Sequence, residues 1–258
     1  MQPRRLNPDF REKIWGATKL SPWFPDSGSK IGEVWFDAGL PLLVKFIFTS
    51  EKLSVQVHPD DDYALRHHGS RGKTEMWHIL AAEPGARIAA GFRKPLTRQE
   101  LREAARTGAI EQLLEWHEAR PGDTFFIPAG TVHAIGAGLA LLEIQQNSDV
   151  TYRLYDYGRP RELHLDPACQ VSRLGPHPAR RDPASEILVA CPHFVARRFE
   201  VQGGLNVSWR PPGFVIAVSG EGEIGGNSIK TGEVLLYSGE NQTISARGDV
   251  TLVCASAA

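Results

Sequence analysis

Three stretches of this 258-residue sequence place polar residues inside otherwise apolar, strand-like runs. The first is Leu53-Ser-Val-Gln-Val-His58-Pro-Asp, where alternation puts Ser54, Gln56 and His58 on one face and Leu53, Val55 and Val57 on the other. On a barrel wall that polar triplet would point inward, and burying each group unsatisfied costs roughly 1–3 kcal/mol. A metal ion would satisfy it. The second is Gly72-Lys73-Thr74-Glu75-Met76-Trp77, in which Lys73 and Glu75 share a face. The third runs from Pro121 through Pro128 and Gly130 to His133. A single His58 or Glu75 would more often be a packing or salt-bridge residue. Taken together, two imidazoles (His58, His133), one carboxylate (Glu75) and one amide oxygen (Gln56) form a mixed N/O set. Such a set suits zinc, with iron, manganese and cobalt also compatible. His67, His68, His78, His117, His164, His177 and His193 have no comparable context and are assigned to surface or packing.

The elements that must position these residues are short apolar runs separated by turn residues, the signature of a sandwich or barrel. Strands are expected at Gly32–Phe36, Leu42–Thr49, Leu53–Val57, Met76–Leu80, Arg87–Ala90, Asp123–Ile127, Val132–Ile135, Leu139–Gln145 and Thr151–Leu154. A helix is expected over Asp60–His68, with acidic residues at its N-terminus. A second helix starts at the capping-box pattern of Thr97 and Glu100, breaks at Gly108 and runs to about Trp116. Gly122, Pro128, Gly130 and His133 follow the second sequence motif of cupin barrels, G-x5-P-x-G-x2-H, whose Pro and Gly turn the histidine inward. The expected fold is all-β with short helices: two cupin-like β-barrels (jelly rolls), the second degenerate. Residues 1–158 would form the catalytic barrel, with a helical insertion at about 97–116. Five prolines, Pro160 to Pro183, make 159–185 a connector. Residues 186–258 would form the second barrel, which offers no inward His/Glu set and so no metal ligand.

Composition narrows the function. With 29 basic and 30 acidic residues, the chain has no electrostatic footprint for nucleic acid or an anionic membrane. No apolar run approaches a bilayer span, and the polar N-terminus lacks a signal-peptide stretch. Cys169, Cys191 and Cys254 are widely spaced, with no CxxC pair, which suits reduced thiols in the cytoplasm.

The run SVQVHPDD…GKTEMW…PGDTFFIPAGTVHAIG…EIQQNSDVTYRLYDYGR resembles type I mannose-6-phosphate isomerase (phosphomannose isomerase) in its short bacterial form. KIWGATKLS and IGEVW are similar to that family's N-terminal pattern, and the likeness extends from about Ile14 to Gly158. The resemblance implies one zinc ion per chain held by Gln56, His58, Glu75 and His133. It also implies an essential Arg153, with Ser54, Lys73, Asp149, Glu33 and Glu143 lining the sugar site. The chain departs from the family at Ala17, His78 and Ile135, and it lacks the large helical insertion of longer members.

The implied reaction interconverts mannose 6-phosphate and fructose 6-phosphate by moving a proton between C1 and C2 through an enediol. That chemistry needs a base, a stabiliser for developing oxyanion charge and a grip on the phosphate. Lys73 and Glu143 are both candidate bases, and Arg153 is the candidate stabiliser. Arg153, Arg159 and Lys73 are the candidates for binding phosphate. The expected partner is a small sugar phosphate, for a cytoplasmic monomer or homodimer. Two readings compete: a non-catalytic sugar-phosphate-binding cupin, and an iron-dependent cupin oxygenase. Retention of Lys73, Asp149 and Arg153 speaks against the first, and Gln56 in a fourth ligand position speaks against the second.

Overall fold

The computed structural model of the chain describes residues 3–182, 185–208, 211–238 and 243–258. Pro183 of the expected connector lies outside them. In chain order the elements begin with β1 (Arg4–Arg5), β2 (Asp9–Ala17), β3 (Ile31–Phe36), β4 (Leu42–Thr49) and β5 (Val55–Val57). Next come α1 (Asp61–His68), β6 (Glu75–Ala82), β7 (Arg87–Phe92), α2 (Arg98–Thr107), α3 (Ile110–Leu113) and β8 (Leu114–Glu118). The middle of the chain closes with β9 (Thr124–Ile127), β10 (His133–Ile135), β11 (Leu139–Gln146), β12 (Tyr152–Tyr155) and α4 (Leu165–Val171). The C-terminal strands are β13 (Ile187–Ala190), β14 (Phe194–Ser208), β15 (Gly213–Ile224), β16 (Asn227–Lys230), β17 (Val234–Tyr237) and β18 (Thr243–Ala257). The fold is all-β and cupin-like, as expected, but among the described residues the antiparallel sheets are open and none closes into a barrel.

By packing, residues 1–46 group with 181–258, and 47–180 form a second unit. This grouping does not follow the sequence-order boundaries of 1–158 and 186–258. Within the first unit the reason is visible. β1 adds antiparallel to β17, with Arg4 opposite Leu236, and the Trp23 indole donates to the Val218 carbonyl at 2.8 Å. The C-terminal sheet runs β1-β17-β15-β18-β14-β13, with β16 on β15. One face buries an apolar cluster that includes Val215, Ile224, Leu235 and Leu252.

The 47–180 unit carries the sheet β12-β5-β10-β7-β8 and the antiparallel pairs β11–β6 and β6–β9. Val55 and Val57 of β5 are fully buried against Val132, Leu154 and the helical residues Leu101 and Ala105, which leaves Gln56 to face the other way. α2 forms as its capping box requires. Thr97 accepts from the Glu100 backbone N–H, and the Glu100 carboxylate accepts from the Thr97 N–H at 2.7 Å. The expected helix to Trp116 is corrected: α3 ends at Leu113, and Leu114–Glu118 is a strand paired with β7, Trp116 opposite Ala89. Edge pairing with β7 outweighs the helical pattern there. β2 was not anticipated, because its charged residues hide the alternation. No helix among the described residues is long and apolar enough to cross a membrane.

Candidate active site

Adjacent strands bring the polar residues into register. In the ladders of β5, Gln56 lies opposite His133 on one side and Arg153 on the other. In the β6–β11 ladder, Glu75 lies opposite Gln145 and Trp77 opposite Glu143. Two turns fix the approach of the ligand-bearing ends. Gly130 adopts φ +84°, and its N–H donates to the His58 carbonyl at 2.8 Å, so the turn leading to His133 is tied to His58. Gly72 packs so closely on Asp60 and Asp61 that a Cβ would lie 2.5 Å from the Asp60 carbonyl carbon. The next residue, Lys73, donates its N–H to the Pro59 carbonyl.

His58, Glu75 and His133 are all buried, and their candidate ligand atoms lie within 4.8 Å of one another. Each imidazole is anchored from behind. The His58 Nδ1–H donates to the Val150 carbonyl at 2.9 Å, and the His133 Nδ1–H to the Thr131 carbonyl at 2.8 Å. These bonds select the tautomer in which Nε2 carries the lone pair, and both Nε2 atoms face Glu75 oxygens at 3.5 Å. Lone pairs set against a carboxylate call for a cation. Lys73 brings one to the edge, its Nζ 3.2 Å from both His58 Nε2 and Glu75 Oε2. The three donors could hold a divalent ion between them, and their mixed N/O chemistry fits zinc coordination. Gln56 sits beside them with its amide nitrogen 3.2 Å from His133 Nε2, and Ser54 donates to Gln56 Oε1 at 3.2 Å. Turning the terminal amide over would present its oxygen instead.

Burial pushes the His133 imidazole down to about 4, opposed by its bond to Thr131 and reinforced by Lys73. The ring therefore stays neutral, as a metal ligand must. Arg153 is lowered by burial first and by the neighbouring Arg161 second. Its Nη1 donates to the Glu162 carbonyl at 2.9 Å, while its buried Nε has no hydrogen-bond partner.

Of the residues singled out from sequence, Ser54, Gln56, His58, Lys73, Glu75 and His133 come together. Glu143 joins them through Trp77, whose indole donates to its Oε2 at 2.9 Å and meets the His133 ring edge-on at 5.3 Å. Asp149 is exposed. Glu33 contacts Lys13 at 3.3 Å and the Trp35 indole at 2.8 Å, both in its own unit. Trp77 was missed, although it shares a strand face with Glu75 two residues earlier and alternation could have found it.

A buried His–Glu–His cluster, with Glu75 and His133 on antiparallel strands and His58 just past the end of β5, defines a cupin-like protein with a candidate metal centre. No family model matches the chain. It is 33% identical to mannose-6-phosphate isomerase ManA of Bacillus subtilis over 86% of this chain and 87% of that protein. It is 38% identical to a mannose-6-phosphate isomerase of Streptococcus mutans over 71% of this chain, a match that spans only 62% of that relative's length. Among solved structures, mannose 6-phosphate isomerase from B. subtilis superimposes with a TM-score of 0.89 at 27% identity, covering 99% of this chain and all of that one. A mannose 6-phosphate isomerase bound with zinc and yttrium shares the fold, with a TM-score of 0.80 at 14% identity over 99% of both chains. The chain belongs to the type I mannose-6-phosphate isomerase family.

Proposed function

We propose that the protein is a zinc-dependent aldose–ketose isomerase that interconverts mannose 6-phosphate and fructose 6-phosphate through an enediol. The observation that carries this reading is the buried His58–Glu75–His133 cluster, with both Nδ1 atoms tied to backbone carbonyls. Family membership and the zinc-bound neighbour support it. His58, Glu75 and His133 would hold the ion, with Gln56 through its amide oxygen as the fourth ligand. When bound, zinc polarises sugar oxygens as a Lewis acid.

The chain's own groups supply the rest. Lys73 and Glu143 are the two candidate bases for the C1/C2 proton. Lys73 already lies within hydrogen-bonding distance of two proposed ligands, and Glu143 is held by Trp77. Arg153, opposite Gln56 in the ladder, is the permanently charged group for the enediolate. Ser54 borders the sugar site through its bond to Gln56. The sugar-binding roles of Glu33 and Asp149 rest on the family resemblance alone.

The test is a coupled assay of fructose 6-phosphate formation from mannose 6-phosphate, with and without chelator. Activity should vanish on chelation and return with zinc. Turnover that resists a chelator after the ion has demonstrably been removed would refute metal dependence, and no turnover by zinc-loaded protein would refute the isomerase.

A further inference from the structure

Arg153 is held by more than its own strand. β12 ends the sheet β12-β5-β10-β7-β8, so one side of it has no neighbouring strand among the described residues. β5 covers the other side, with Gln56 opposite Arg153. An edge strand leaves backbone donors and acceptors that something else must satisfy. At Arg153 a single residue satisfies both. The Arg153 N–H donates to His164 Nδ1 at 3.2 Å, and the His164 N–H donates to the Arg153 carbonyl at 2.7 Å. A neighbouring antiparallel strand would offer the same two bonds through its own carbonyl and N–H. Here an imidazole nitrogen takes the place of the carbonyl.

His164 is itself fixed. It is the N-cap of α4, and its ring makes no capping bond to that helix, which leaves Nδ1 to Arg153. α4 buries Ala168 and Cys169 in the cluster that contains Tyr152 and Leu154, the residues of β12 on either side of Arg153. Burial first, and then the charge of Arg153, push the His164 imidazole below its ordinary value. The neutral ring keeps Nδ1 as an acceptor and carries its proton on Nε2, 3.9 Å from the exposed Glu162 carboxylate. The same short segment takes the other end of the arginine, whose Nη1 donates to the Glu162 carbonyl at 2.9 Å. Backbone and guanidinium of Arg153 are thus both held from residues 162–164.

We infer that His164 is a positioning residue: it stands in for a neighbouring strand and fixes the backbone of Arg153, so that the guanidinium is aimed before substrate arrives. Misplacing a reacting group by about 1 Å can cost about 100-fold in rate. The role given to Arg153 rests on the isomerase reading, whereas its anchoring by His164 can be measured without turnover.

The experiment uses full-length, zinc-loaded protein and the variants His164→Ala, His164→Gln and His164→Asn. The Asn amide oxygen reaches the place of Nδ1, the Gln oxygen reaches that of Nε2, and Ala offers no acceptor. Hydrogen exchange at the Arg153 amide should be about 10-fold faster in Ala and Gln, and near wild type in Asn. The kcat for mannose 6-phosphate should fall about 10- to 100-fold in Ala and Gln, by more than KM changes, because Arg153 is assigned to the enediolate. Asn should recover most of that loss, with zinc content equal in all four proteins. If Ala does not fold, Asn against Gln decides. The same exchange pattern in a protein that does not turn over mannose 6-phosphate would support the anchoring while refuting the isomerase. Wild-type exchange in a folded His164→Ala, or equal losses of kcat in Asn and Gln, would overturn the proposal. So would wild-type kcat in all three variants.

Discussion

The strands of residues 47–180 and those of the C-terminal sheet both bury long apolar runs, yet they differ in what else they bury. Between Ser54 and Gln146 the buried set includes His58, Lys73, Glu75, His78, His133, Glu143 and Gln145. Among residues of known burial in the C-terminal strands, Ser256 is the buried polar side chain. Ionisable groups are rarely buried unless paired, and their concentration in one region is a cost that packing alone would not retain. The same kind of strand therefore serves two ends. In one region alternation presents donors to a common centre, and in the other it presents only shape. The C-terminal pattern, Phe214-Val-Ile-Ala-Val218 and Val234-Leu-Leu-Tyr237, has no break of the kind that Gln56 and His58 make.

The largest effect should come from Glu75→Ala. It removes the carboxylate that both Nε2 atoms face, so bound metal should be lost and turnover should fall by at least about three orders of magnitude, since a Lewis acid contributes several kcal/mol. Metal analysis beside the coupled assay checks this, and an active, metal-loaded variant would erase the contrast between the regions. Phe214→Ala, at a fully buried position of β15, should instead destabilise the protein by about 3–5 kcal/mol. The folded fraction should keep its metal and its kcat. Denaturant titration and active-site titration separate these two quantities, and loss of metal from folded protein would show that the C-terminal sheet does more than pack.

A smaller effect sharpens the comparison through pH. His133 has an ordinary value of 6.5 and is held at about 4 in the fold, chiefly by burial. Between those values the unfolded chain binds more protons than the folded one, so stability is fully present above about 6.5 and is lost as pH falls toward 4. The loss is on the order of 3 kcal/mol. Urea unfolding of the chelated protein at pH 7 and at pH 4.5 should show it, and a His133→Gln variant should show a flatter dependence. Equal slopes for the two proteins would mean that His133 is not the group responsible.

Much of the candidate site was legible because alternation is a strict rule. Gln56 and His58, Lys73 and Glu75, and the turn before His133 each announce themselves within a few residues. The fixed contacts between those segments did not. The carbonyls of Val150 and Thr131 that orient the imidazoles are backbone atoms with no sequence signature. The indole of Trp77 reaches Glu143 only because the β6–β11 register places them opposite each other. Asp156 grips Arg159 and Arg161 through a left-handed Tyr157, a conformation its residue type does not suggest. The fold class followed from turn spacing. The grouping of residues 1–46 with the C-terminal strands follows from nonlocal pairing such as β1 on β17, which no local pattern encodes.

The central claim is that His58, Glu75 and His133 converge in order to bind a metal. Anomalous scattering above and below the zinc edge, from crystals grown without added metal and then soaked in zinc, tests it most directly. The account predicts one ion per chain between His58 Nε2, His133 Nε2 and a Glu75 oxygen, with the Gln56 amide turned to offer its oxygen. Zinc-soaked crystals with no anomalous peak at that position, and Lys73 still bridging His58 and Glu75, would contradict it.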